Sequence, residues 1–274
     1  MNMNEFEVLT GFIYRKTGIH LESQKLYFLN TRINKRIVAT GAESVSNYIR
    51  ILRFADHDGV EFQHLVNLLT VNETYFFRDF PQLQAFAEQS LTEVVDRKRA
   101  AKDFKLKIWS APCSSGEEPY TLAIILHSMI DDIDKWSIEI IASDIDKNIL
   151  IKAREAVYDE RRLRDVPPEY LQEFFKKLPD GNFKVNQDIR NMVKFEHVNL
   201  SETNDIRNKV GFDFIFCRNL LIYFDDESRK KLVDQFYIAL NKNGYIFLGA
   251  SESMSRISTA FRVKRKGGYF VYYK

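Results

Sequence analysis

Apolar residues in the first part of the chain recur every three or four positions, which is the period of an α-helix. The two clearest stripes are Phe6, Leu9 and Ile13, followed by Leu26, Leu29, Ile33 and Ile37. Gly18 and Gly41 come after these stripes and are typical helix stops. Two more helical stretches follow, and nothing in this region alternates like a strand. The sequence therefore predicts an all-α domain over residues 1–75.

From residue 104 onwards, strand-like stretches alternate with helical ones. The predicted strands, rich in Ile, Phe and Val, cover residues 105–111, 137–146, 193–200, 212–219, 244–251 and 267–274. The helices predicted between them cover residues 117–130, 147–158 and 228–240. A β-α-β-α series of this kind predicts a mostly parallel sheet with helices on both faces. The predicted fold class is therefore α/β, with this sheet domain over residues 76–274.

One segment, at about residues 159–192, interrupts the series. Asp180, Gly181 and Asn182 form a hairpin signal within it. Residues 183–189 alternate apolar and polar side chains like an exposed strand. We therefore predict a small antiparallel β subdomain inserted in the sheet domain.

The bulk composition argues against several classes of protein. With 45% hydrophobic and 28% charged residues, the chain has the composition of a globular protein and not of a disordered one. A formal net charge of +2 argues against strong attraction of the whole chain to nucleic acid. No long apolar run and no signal-peptide pattern occur, so we expect a cytoplasmic protein without membrane insertion. Cys113 and Cys217 match no metal-ligand spacing, so we expect buried thiols and no metal site.

The second predicted helix is strongly basic. Its cationic residues are Lys25, Arg32, Lys35 and Arg36, with few acids to balance them. Such a helix can be an ordinary solvated face, or a docking surface for an acidic partner such as a helical bundle. Nucleic acid is the less favoured partner, because the helix lacks the interleaved aromatic residues of a single-strand binder.

The stretch IWSAPCSSGEEPY, residues 108–120, runs from a strand through a loop of small residues into a helix. Dinucleotide-binding folds hold a phosphate on a glycine-rich loop here, but only Gly116 fits that pattern. The helix start carries Glu117 and Glu118, whose charges would repel a pyrophosphate and attract a cationic group. The turn therefore favours S-adenosylmethionine, which has a sulfonium, an amino group and no phosphate, over NAD or ATP. The alternative is that both acids only stabilise the first helical turn.

Polar residues also end the later strands. Asp144 ends the second strand, where a carboxylate can accept hydrogen bonds from both ribose hydroxyls of an adenosine. One of Asp144 and Asp146 can instead cap the following helix. Arg218 and Asn219 directly follow an apolar strand, so we expect them to face the crevice at the carboxyl ends of the strands. Tyr223 can face the same crevice or pack on the rim of the sheet.

These motifs together resemble one known family. They are TVNETYFFRD (residues 70–79), IWSAPCSSGEEPYTLA, ASDIDKNILIKAR, VNL and FDFIFCRNLLIYF. In this order they resemble the CheR-type chemoreceptor protein-glutamate O-methyltransferases, and the resemblance covers nearly the whole chain. It implies an N-terminal all-α domain and a Rossmann-like S-adenosylmethionine methyltransferase sheet that carries a small antiparallel β subdomain. Without the resemblance, residues 70–79 would be interpreted as a linker with capping residues.

The resemblance also implies roles for individual residues. Those expected to contact S-adenosylmethionine are Asn72, Thr74, Arg78, Glu118, Asp144, Asn199, Leu200, Cys217 and Arg218. Arg218 and Tyr223 are expected to be catalytic groups beside the transferred methyl group and the acceptor. The receptor-docking surface is expected on the basic helix, at Lys25, Arg32, Lys35 and Arg36.

The activity that the resemblance implies is methylation of glutamate side chains on the cytoplasmic helical bundle of chemoreceptors. A glutamate, with a pKa of about 4.3, is ionised at neutral pH and needs no strong general base, and none of the five motifs contains a histidine. The loop KKLPDGNFKV, residues 176–185, is short and lacks the extra glycine-rich residues of family members that bind a tethering peptide, so we expect receptor recognition without such a peptide. We also expect a monomer. Two alternatives stay open: a methyltransferase with another acceptor, and a non-enzymatic sensor or scaffold that binds S-adenosylmethionine.

Overall fold

The N-terminal part of the chain is all-helical, as predicted. The computed structural model, which describes residues 1–70 and 72–274, has four α-helices in this part. They are α1 (Met3–Thr17), α2 (Leu26–Thr40), α3 (Val45–Phe54) and α4 (Val60–Leu69). Gly18 and Gly41 end α1 and α2 with φ angles of 71° and 68°, so both predicted stops are confirmed.

The predicted apolar stripes form the core of this helical domain. Leu9 and Ile13 of α1 are fully buried against Leu29 and Ile33 of α2. Burying each such side chain contributes about 1.5–3 kcal/mol to folding. The basic residues of α2 lie outside this core, so they are not needed to build it.

Residues 80–100 are helical, in a region for which no element was predicted from the sequence. They form α5 (Phe80–Ala85), a π-helical stretch (Phe86–Leu91) and α6 (Thr92–Ala100). Phe86 packs edge-on against Phe214 and Phe216, with ring centroids 5.1 Å away in both cases. This aromatic contact holds residues 80–100, which follow the helical domain, against the sheet.

A seven-stranded sheet is the centre of the remaining chain. The strands are β1 (Lys105–Ser110), β2 (Ser137–Asp144), β3 (Val157–Tyr158), β4 (Phe175–Lys177), β5 (Phe183–Val185), β6 (Val193–His197), β7 (Phe212–Cys217), β8 (Leu240–Leu248), β9 (Arg262–Lys266) and β10 (Tyr269–Tyr273). The order across the large sheet is β6-β2-β1-β7-β8-β10-β9. Its first four neighbouring pairs are parallel and its last two are antiparallel. The predicted mostly parallel sheet is therefore confirmed.

Helices cover both faces of this sheet. They are α7 (Glu117–Met129), α8 (Lys147–Glu155), α9 (Pro168–Phe174), α10 (Gln187–Asn191), α11 (Thr203–Ile206) and α12 (Asp226–Ala239). All six residues of β7 are buried, as expected for a strand covered on both sides. The direction of strand order reverses between β1 and β7, and ligands of such sheets bind beside this point at the carboxyl ends. Across residues 1–70 and 72–274, no helix has the length and apolar composition needed to cross a bilayer.

The inserted subdomain is a small antiparallel sheet with strand order β3-β5-β4, as predicted. Its first strand starts at Val157, because the preceding helix ends at Glu155 and not at residue 158. Ala156 has a φ of 55°, which breaks the helix and turns the chain towards β5. The strand predicted over residues 183–189 stops at Val185, and α10 follows.

The strand predicted over residues 267–274 is the second strand of a hairpin. Gly267 and Gly268, with φ angles of 53° and 87°, join β9 to β10. The sequence of β9 is RVKRK, which lacks the apolar residues from which the other strands were predicted. Charged residues are typical of an edge strand, because they discourage pairing with other chains.

Candidate active site

A cavity of about 790 Å³ lies between the helical domain and the carboxyl ends of the parallel strands. The predicted cofactor-binding and catalytic residues that line it are Asn72, Thr74, Arg78, Glu118, Asp144, Asn199, Leu200, Arg218 and Tyr223. Cys217, the last residue of β7, is instead fully buried in the core on the α12 face of the sheet. Successive residues of a strand point to opposite faces, so the Cys217 side chain does not line the cavity although Arg218 does. A cavity of this size accommodates a ligand of several hundred daltons.

Gly116 allows the sharp turn from the loop after β1 into α7. Its φ is 95°, and a β-carbon there would lie 3.0 Å from the Tyr158 hydroxyl and 3.1 Å from Ala153 Cβ. A side chain would therefore meet both backbone strain and close contacts. The glycine lets the inserted subdomain, through Tyr158, pack directly against the turn; the Tyr158 hydroxyl also donates to the Ser115 carbonyl at 2.7 Å.

The two adjacent glutamates point to different surroundings. Glu118 lines the cavity, and its carboxylate accepts a hydrogen bond from Arg218 Nη1 at 3.0 Å. Glu117 is fully buried, accepts from the Ser115 hydroxyl at 2.7 Å and lies 3.3 Å from Arg162. Burial raises the pKa of Glu117 above its usual value. Glu118 is therefore placed to meet a ligand, whereas Glu117 belongs to the interior.

The two aspartates after β2 also have different roles. Asp146 caps α8 by accepting from the N–H groups of Asn148 and Ile149, at 2.9 and 3.0 Å. Asp144 lines the cavity, is 4% exposed, and accepts from the N–H groups of Ser114 and Asp146 at 2.9 and 3.0 Å. Its carboxylate keeps lone pairs free for further donors. Burial raises the pKa of Asp144 to about 6.

Arg218 belongs to a buried charge cluster at the end of β7. Its side chain, 5% exposed, donates to Glu118, to the carbonyl of Arg78 at 3.0 Å and to the carboxylate of Asp79. Its Nε is buried and has no hydrogen-bond partner among the residues that the structure describes. Because two carboxylates balance its charge, the guanidinium is held firmly in the folded protein.

Asp79 is a site residue that the sequence analysis missed. It lies within the motif TVNETYFFRD, has a φ of 58°, and precedes the proline-containing first turn of α5. An acid directly before a helix start that contains Pro81 is a signal that could have singled it out. Its partner Arg218 is far away in sequence, so the ion pair itself could not be predicted.

Tyr223 faces the cavity from the 3₁₀ turn Leu221–Tyr223. Its hydroxyl makes no hydrogen bond within the described parts of the chain, and burial raises its pKa. The charge of Arg78 partly opposes that rise in pKa, and the Arg78 guanidinium donates to the Glu73 carbonyl at 3.0 Å. The Tyr223 hydroxyl is thus open to the cavity.

The segment 72–79 forms one wall of the cavity and is tied on both sides. Asn72 donates to the carboxylate of Asp146 at 3.1 Å, which links it to the loop after β2. The carbonyl of Thr74 accepts from Arg162 of the inserted subdomain. The wall therefore connects the end of β2 with the inserted subdomain.

The helical domain supplies a second wall, which the sequence analysis did not predict. Its lining residues include Ile19, His20, Leu21, Lys25 and Phe28. Ile19 forms an isolated antiparallel bridge with Phe224, and the His20 N–H donates to the Tyr223 carbonyl at 2.8 Å. Asn199 makes a further link by donating to the Lys16 carbonyl at 2.6 Å. No local pattern in a single sequence could pair positions so far apart.

Three of the seven non-glycine residues with a positive φ in the described structure line the cavity. Phe77, Ser114 and Asn219 line it with φ angles of 57°, 48° and 58°. A non-glycine residue in this left-handed region costs about 1–3 kcal/mol, and such residues cluster at functional sites. Each of these three residues lies within one of the sequence motifs, so strained backbone and motif residues coincide at the cavity.

The four predicted docking residues differ in their surroundings. Arg36 forms an ion pair with Glu61 at 2.5 Å. The Arg32 guanidinium stacks on a neighbouring phenylalanine ring, 3.6 Å from its centroid. Lys25 and Lys35 are exposed and take part in no ion pair among residues 1–70 and 72–274. Two of the four cations are therefore available to a partner, and two are already engaged within the domain.

The lining residues fit an adenosine ligand with a cationic end. Asp144 offers free lone pairs to hydroxyl donors, and Glu118 offers a carboxylate to an ammonium or sulfonium group. The loop at residues 111–116 contains a single glycine and so provides no glycine-rich cradle for phosphate. Within the described residues, no group of three or more His, Cys, Asp and Glu side chains could hold a metal ion.

Fold and site together define a class, that of S-adenosylmethionine-dependent methyltransferases with a helical N-terminal domain. A family model described as "CheR methyltransferase, SAM binding domain" matches residues 72–269. A second, described as "CheR methyltransferase, all-alpha domain", matches residues 4–70. The chain belongs to the CheR methyltransferase family, and S-adenosylmethionine is its cofactor.

Curated relatives agree with this assignment. "Chemotaxis protein methyltransferase 2" of Vibrio cholerae serotype O1 is 44% identical over 263 residues, which cover 96% of this chain and 90% of that protein. "Chemotaxis protein methyltransferase" of Escherichia coli K12 is 31% identical over 96% of this chain and 89% of that protein. A solved S-adenosylmethionine-dependent methyltransferase from Methanosarcina mazei is 18% identical, covers 53% of this chain and 52% of that one, and has a TM-score of 0.33. The sequence relatives and family models make this protein an enzyme of S-adenosylmethionine-dependent methylation in chemotaxis.

Proposed function

We propose that the enzyme methylates glutamate side chains of chemoreceptors, the methyl-accepting chemotaxis proteins, and so forms glutamate methyl esters for sensory adaptation. The observation that carries this proposal is the set of groups on the acceptor side of the cavity, which is the part beside Arg218 and Tyr223. The open Tyr223 hydroxyl and the buried Arg218 line it, together with Lys25 and Arg78, which form no ion pair among the described residues, and Arg229, which is paired with Asp226. Cations and a hydroxyl donor favour an anionic acceptor.

A carboxylate acceptor also agrees with the lack of a general base. A glutamate side chain has a pKa of about 4.3 and is already ionised at neutral pH. His20 lines the cavity, but its ring packs edge-on against Tyr14 with centroids 6.3 Å apart. No hydrogen bond joins His20 to a carboxylate in the described structure. The site therefore suits an acceptor that arrives without a proton to lose.

When bound, S-adenosylmethionine supplies a methyl group on a cationic sulfur; its transfer to a carboxylate oxygen replaces the sulfur–carbon bond with an oxygen–carbon bond, leaves S-adenosylhomocysteine and moves no proton. Asp144 would hold the ribose hydroxyls, and Glu118 would hold the cationic end. Arg218 bonds to Glu118, so the guanidinium on the acceptor side also orients a carboxylate on the cofactor side.

The contribution of the enzyme is then orientation and exclusion of water. Tyr223 donates a hydrogen bond that orients the acceptor carboxylate. Arg218 shares its charge with Glu118 and Asp79, so it orients the acceptor without strongly reducing the nucleophilicity of the oxygen. Orientation of this kind supplies at most roughly 7–11 kcal/mol of the barrier. Charges of opposite sign are neutralised during the transfer, so a dry crevice favours it.

We propose that the receptor bundle docks on the helical domain, beside the mouth of the cavity. Lys25 lines the cavity and Lys35 lies exposed on α2, so both can meet acidic receptor helices. The hairpin of the inserted subdomain is closed tightly, with the Leu178 N–H donating to the Asn182 carbonyl at 2.7 Å. This short hairpin supports recognition without a tethering peptide.

The test is methyl transfer from radiolabelled S-adenosylmethionine to membranes that contain the organism's own chemoreceptors. Alkali should then release the label as volatile methanol, because carboxyl methyl esters are base-labile. Tyr223→Phe should reduce the label in receptors while S-adenosylhomocysteine binding, measured by calorimetry, is kept. Label in nucleic acid or a small molecule would point to another acceptor. Cofactor binding without any transfer would point to a sensor or scaffold.

A further inference from the structure

The turn that carries Arg218 and Tyr223 has little regular structure of its own. The chain leaves β7 at Cys217, and Asn219 has a φ of 58°. Regular hydrogen bonding resumes only in the short 3₁₀ turn Leu221–Tyr223. The positions of Arg218 and Tyr223 therefore depend on contacts from elsewhere in the chain.

Glu252, in the loop after β8, provides two of these contacts and also bonds to Gly249 in its own loop. One of its carboxylate oxygens accepts from the backbone N–H groups of Asn219 at 2.9 Å and Gly249 at 2.8 Å. The other oxygen accepts from the N–H of Leu221 at 2.8 Å. A charged acceptor makes such bonds short and strong. One side chain thus fixes two N–H groups of the turn between Arg218 and Tyr223.

Gly249 shows how closely this carboxylate fits. A β-carbon at this position would lie 2.8 Å from a Glu252 oxygen and 3.0 Å from the Asn219 nitrogen. Both distances are shorter than van der Waals contact, so only glycine lets the two loops approach this far. The loop after β8 is therefore built around the bond between Glu252 and the turn.

Other elements hold the carbonyl groups of the turn, and Glu252 holds its N–H groups. Arg229 of α12 donates from Nε to the Leu221 carbonyl at 2.7 Å. His20 donates from its N–H to the Tyr223 carbonyl at 2.8 Å. If the Glu252 carboxylate were lost, the N–H groups of Asn219 and Leu221 would have no acceptor, and the turn would shift to find one.

We propose that Glu252 is a positioning residue for methyl transfer. Its carboxylate does not line the cavity; it acts by holding the turn so that Arg218 and Tyr223 face the acceptor. The inference rests on the proposed function for the role of Tyr223 towards the acceptor.

Glu252→Gln tests this with a side chain of the same size. Its amide has one oxygen, so an N–H₂ group must face either the Leu221 N–H or the pair of donors at Asn219 and Gly249. We expect turnover to fall roughly tenfold to a hundredfold, the effect of misplacing a reacting group by about 1 Å. S-adenosylhomocysteine affinity, measured by calorimetry, should change much less than turnover. The matched control is Glu227→Gln, an exposed glutamate of α12, which should leave both quantities unchanged.

Two further measurements separate positioning from a general loss of structure. Amide hydrogen exchange at Asn219 and Leu221 should become faster in Glu252→Gln, while the amides of β7 keep their protection. Combined with Tyr223→Phe, Glu252→Gln should cause a smaller additional loss of turnover than it causes alone, because both changes remove the same orientation.

Wild-type turnover in Glu252→Gln, or unchanged amide exchange, would overturn the inference. So would a loss of turnover that matches a loss of S-adenosylhomocysteine binding. If the wild-type enzyme transfers no label to receptors, the proposed function is wrong, and the exchange measurement alone then decides whether Glu252 holds the turn.

Discussion

The loop after β1 and the turn after β7 lie at the same edge of the sheet, but they are held in different ways. The loop after β1 bonds to the adjacent strand: the Cys113 N–H donates to the Ser143 carbonyl at 2.8 Å, and the Ser114 N–H donates to Asp144 at 2.9 Å. The turn after β7 is held by Glu252, Arg229 and His20, from the loop after β8, α12 and the helical domain.

The comparison separates the cofactor side of the site from the acceptor side. On the cofactor side, two N–H groups of the loop after β1 bond to the adjacent strand β2, so this loop should tolerate changes in distant parts of the chain better than the turn after β7 does. The acceptor side is assembled from distant elements, so changes in any of them should disturb it. We expect mutations on the first side to alter affinity for S-adenosylhomocysteine, and mutations on the second to alter turnover.

The largest effect is expected for Arg218→Ala, since Arg218 joins the two sides through Glu118 and Asp79. Turnover should fall by roughly 10²–10³-fold, the usual loss for a preorganised donor. S-adenosylhomocysteine affinity should fall less, because Asp144 is untouched. Kinetics of methyl transfer and calorimetry measure the two quantities. Arg218→Lys keeps the charge but not the forked geometry, so it should give an intermediate turnover.

An equal loss of turnover and affinity in Arg218→Ala would contradict the division of the site into a cofactor side and an acceptor side. It would place Arg218 on the cofactor side, as a binding residue that acts through Glu118. A thermal melt is needed beside these measurements, because removal of Arg218 leaves the half-buried Glu118 without its cationic partner and can destabilise the fold.

The second-largest effect is expected for Glu118→Gln, and it distinguishes the roles of the two adjacent glutamates. Glu118→Gln removes a carboxylate that lines the cavity, and should weaken S-adenosylhomocysteine binding about tenfold or more, since a hydrogen bond to a charged group contributes about 1.5–3 kcal/mol. Glu117→Gln is the matched control, because Glu117 is buried away from the cavity and its change should leave affinity unaltered. Equal weakening in both variants would mean that the first turn of α7 acts as one unit, and that the division between the two residues is wrong.

The division between neighbouring and distant contacts also separates what the sequence could predict from what it could not. The local pattern singled out two pairs, Glu117 with Glu118 and Asp144 with Asp146, and the family resemblance favoured Glu118 and Asp144 as the cofactor-binding members. The structure shows that Glu118 and Asp144 line the cavity. The mostly parallel sheet and the inserted subdomain followed from alternation and turn signals. These features depend on residues that are close in sequence or in adjacent strands.

The remaining features depend on contacts between distant parts of the chain. Asp79 pairs with Arg218, and Glu252 bonds to the turn before Tyr223, but no spacing in the sequence connects either pair. The pairing of Arg36 with Glu61 is likewise invisible in a basic helix considered alone. Sequence patterns identify which residues could act, and the tertiary structure determines which of them are free to do so.

Asp144 gives the cofactor side a pH dependence. Burial raises its pKa to about 6 in the folded protein, against about 3.9 when unfolded. Ribose hydroxyls donate to the ionised form, so S-adenosylhomocysteine affinity should fall by up to about tenfold per pH unit below pH 6. Without ligand, the free energy of unfolding should fall as pH rises from about 3.9 to about 6, because the unfolded state releases its proton first.

Asp144→Asn is the control for both effects. It should bind S-adenosylhomocysteine more weakly at neutral pH. Because the carboxylate is gone, its titration should no longer change the affinity between pH 5 and 7. An unaltered pH profile in Asp144→Asn would assign the titration to another residue of the cavity.

The smallest effect is expected at the outer end of the acceptor side, on α2. Lys35 is exposed and unpaired among the described residues, so Lys35→Glu should raise the KM for receptor membranes by roughly fivefold at low salt, and less at high salt. Arg36→Gln should leave that KM nearly unchanged and lower the urea midpoint instead, because it removes the partner of Glu61. If Arg36→Gln raises the KM as much as Lys35→Glu in a fully folded enzyme, receptor binding must break the ion pair between Arg36 and Glu61. The acceptor side would then include the ion pair between Arg36 and Glu61 of the helical domain. Residues that stabilise this domain would in that case also bind the receptor.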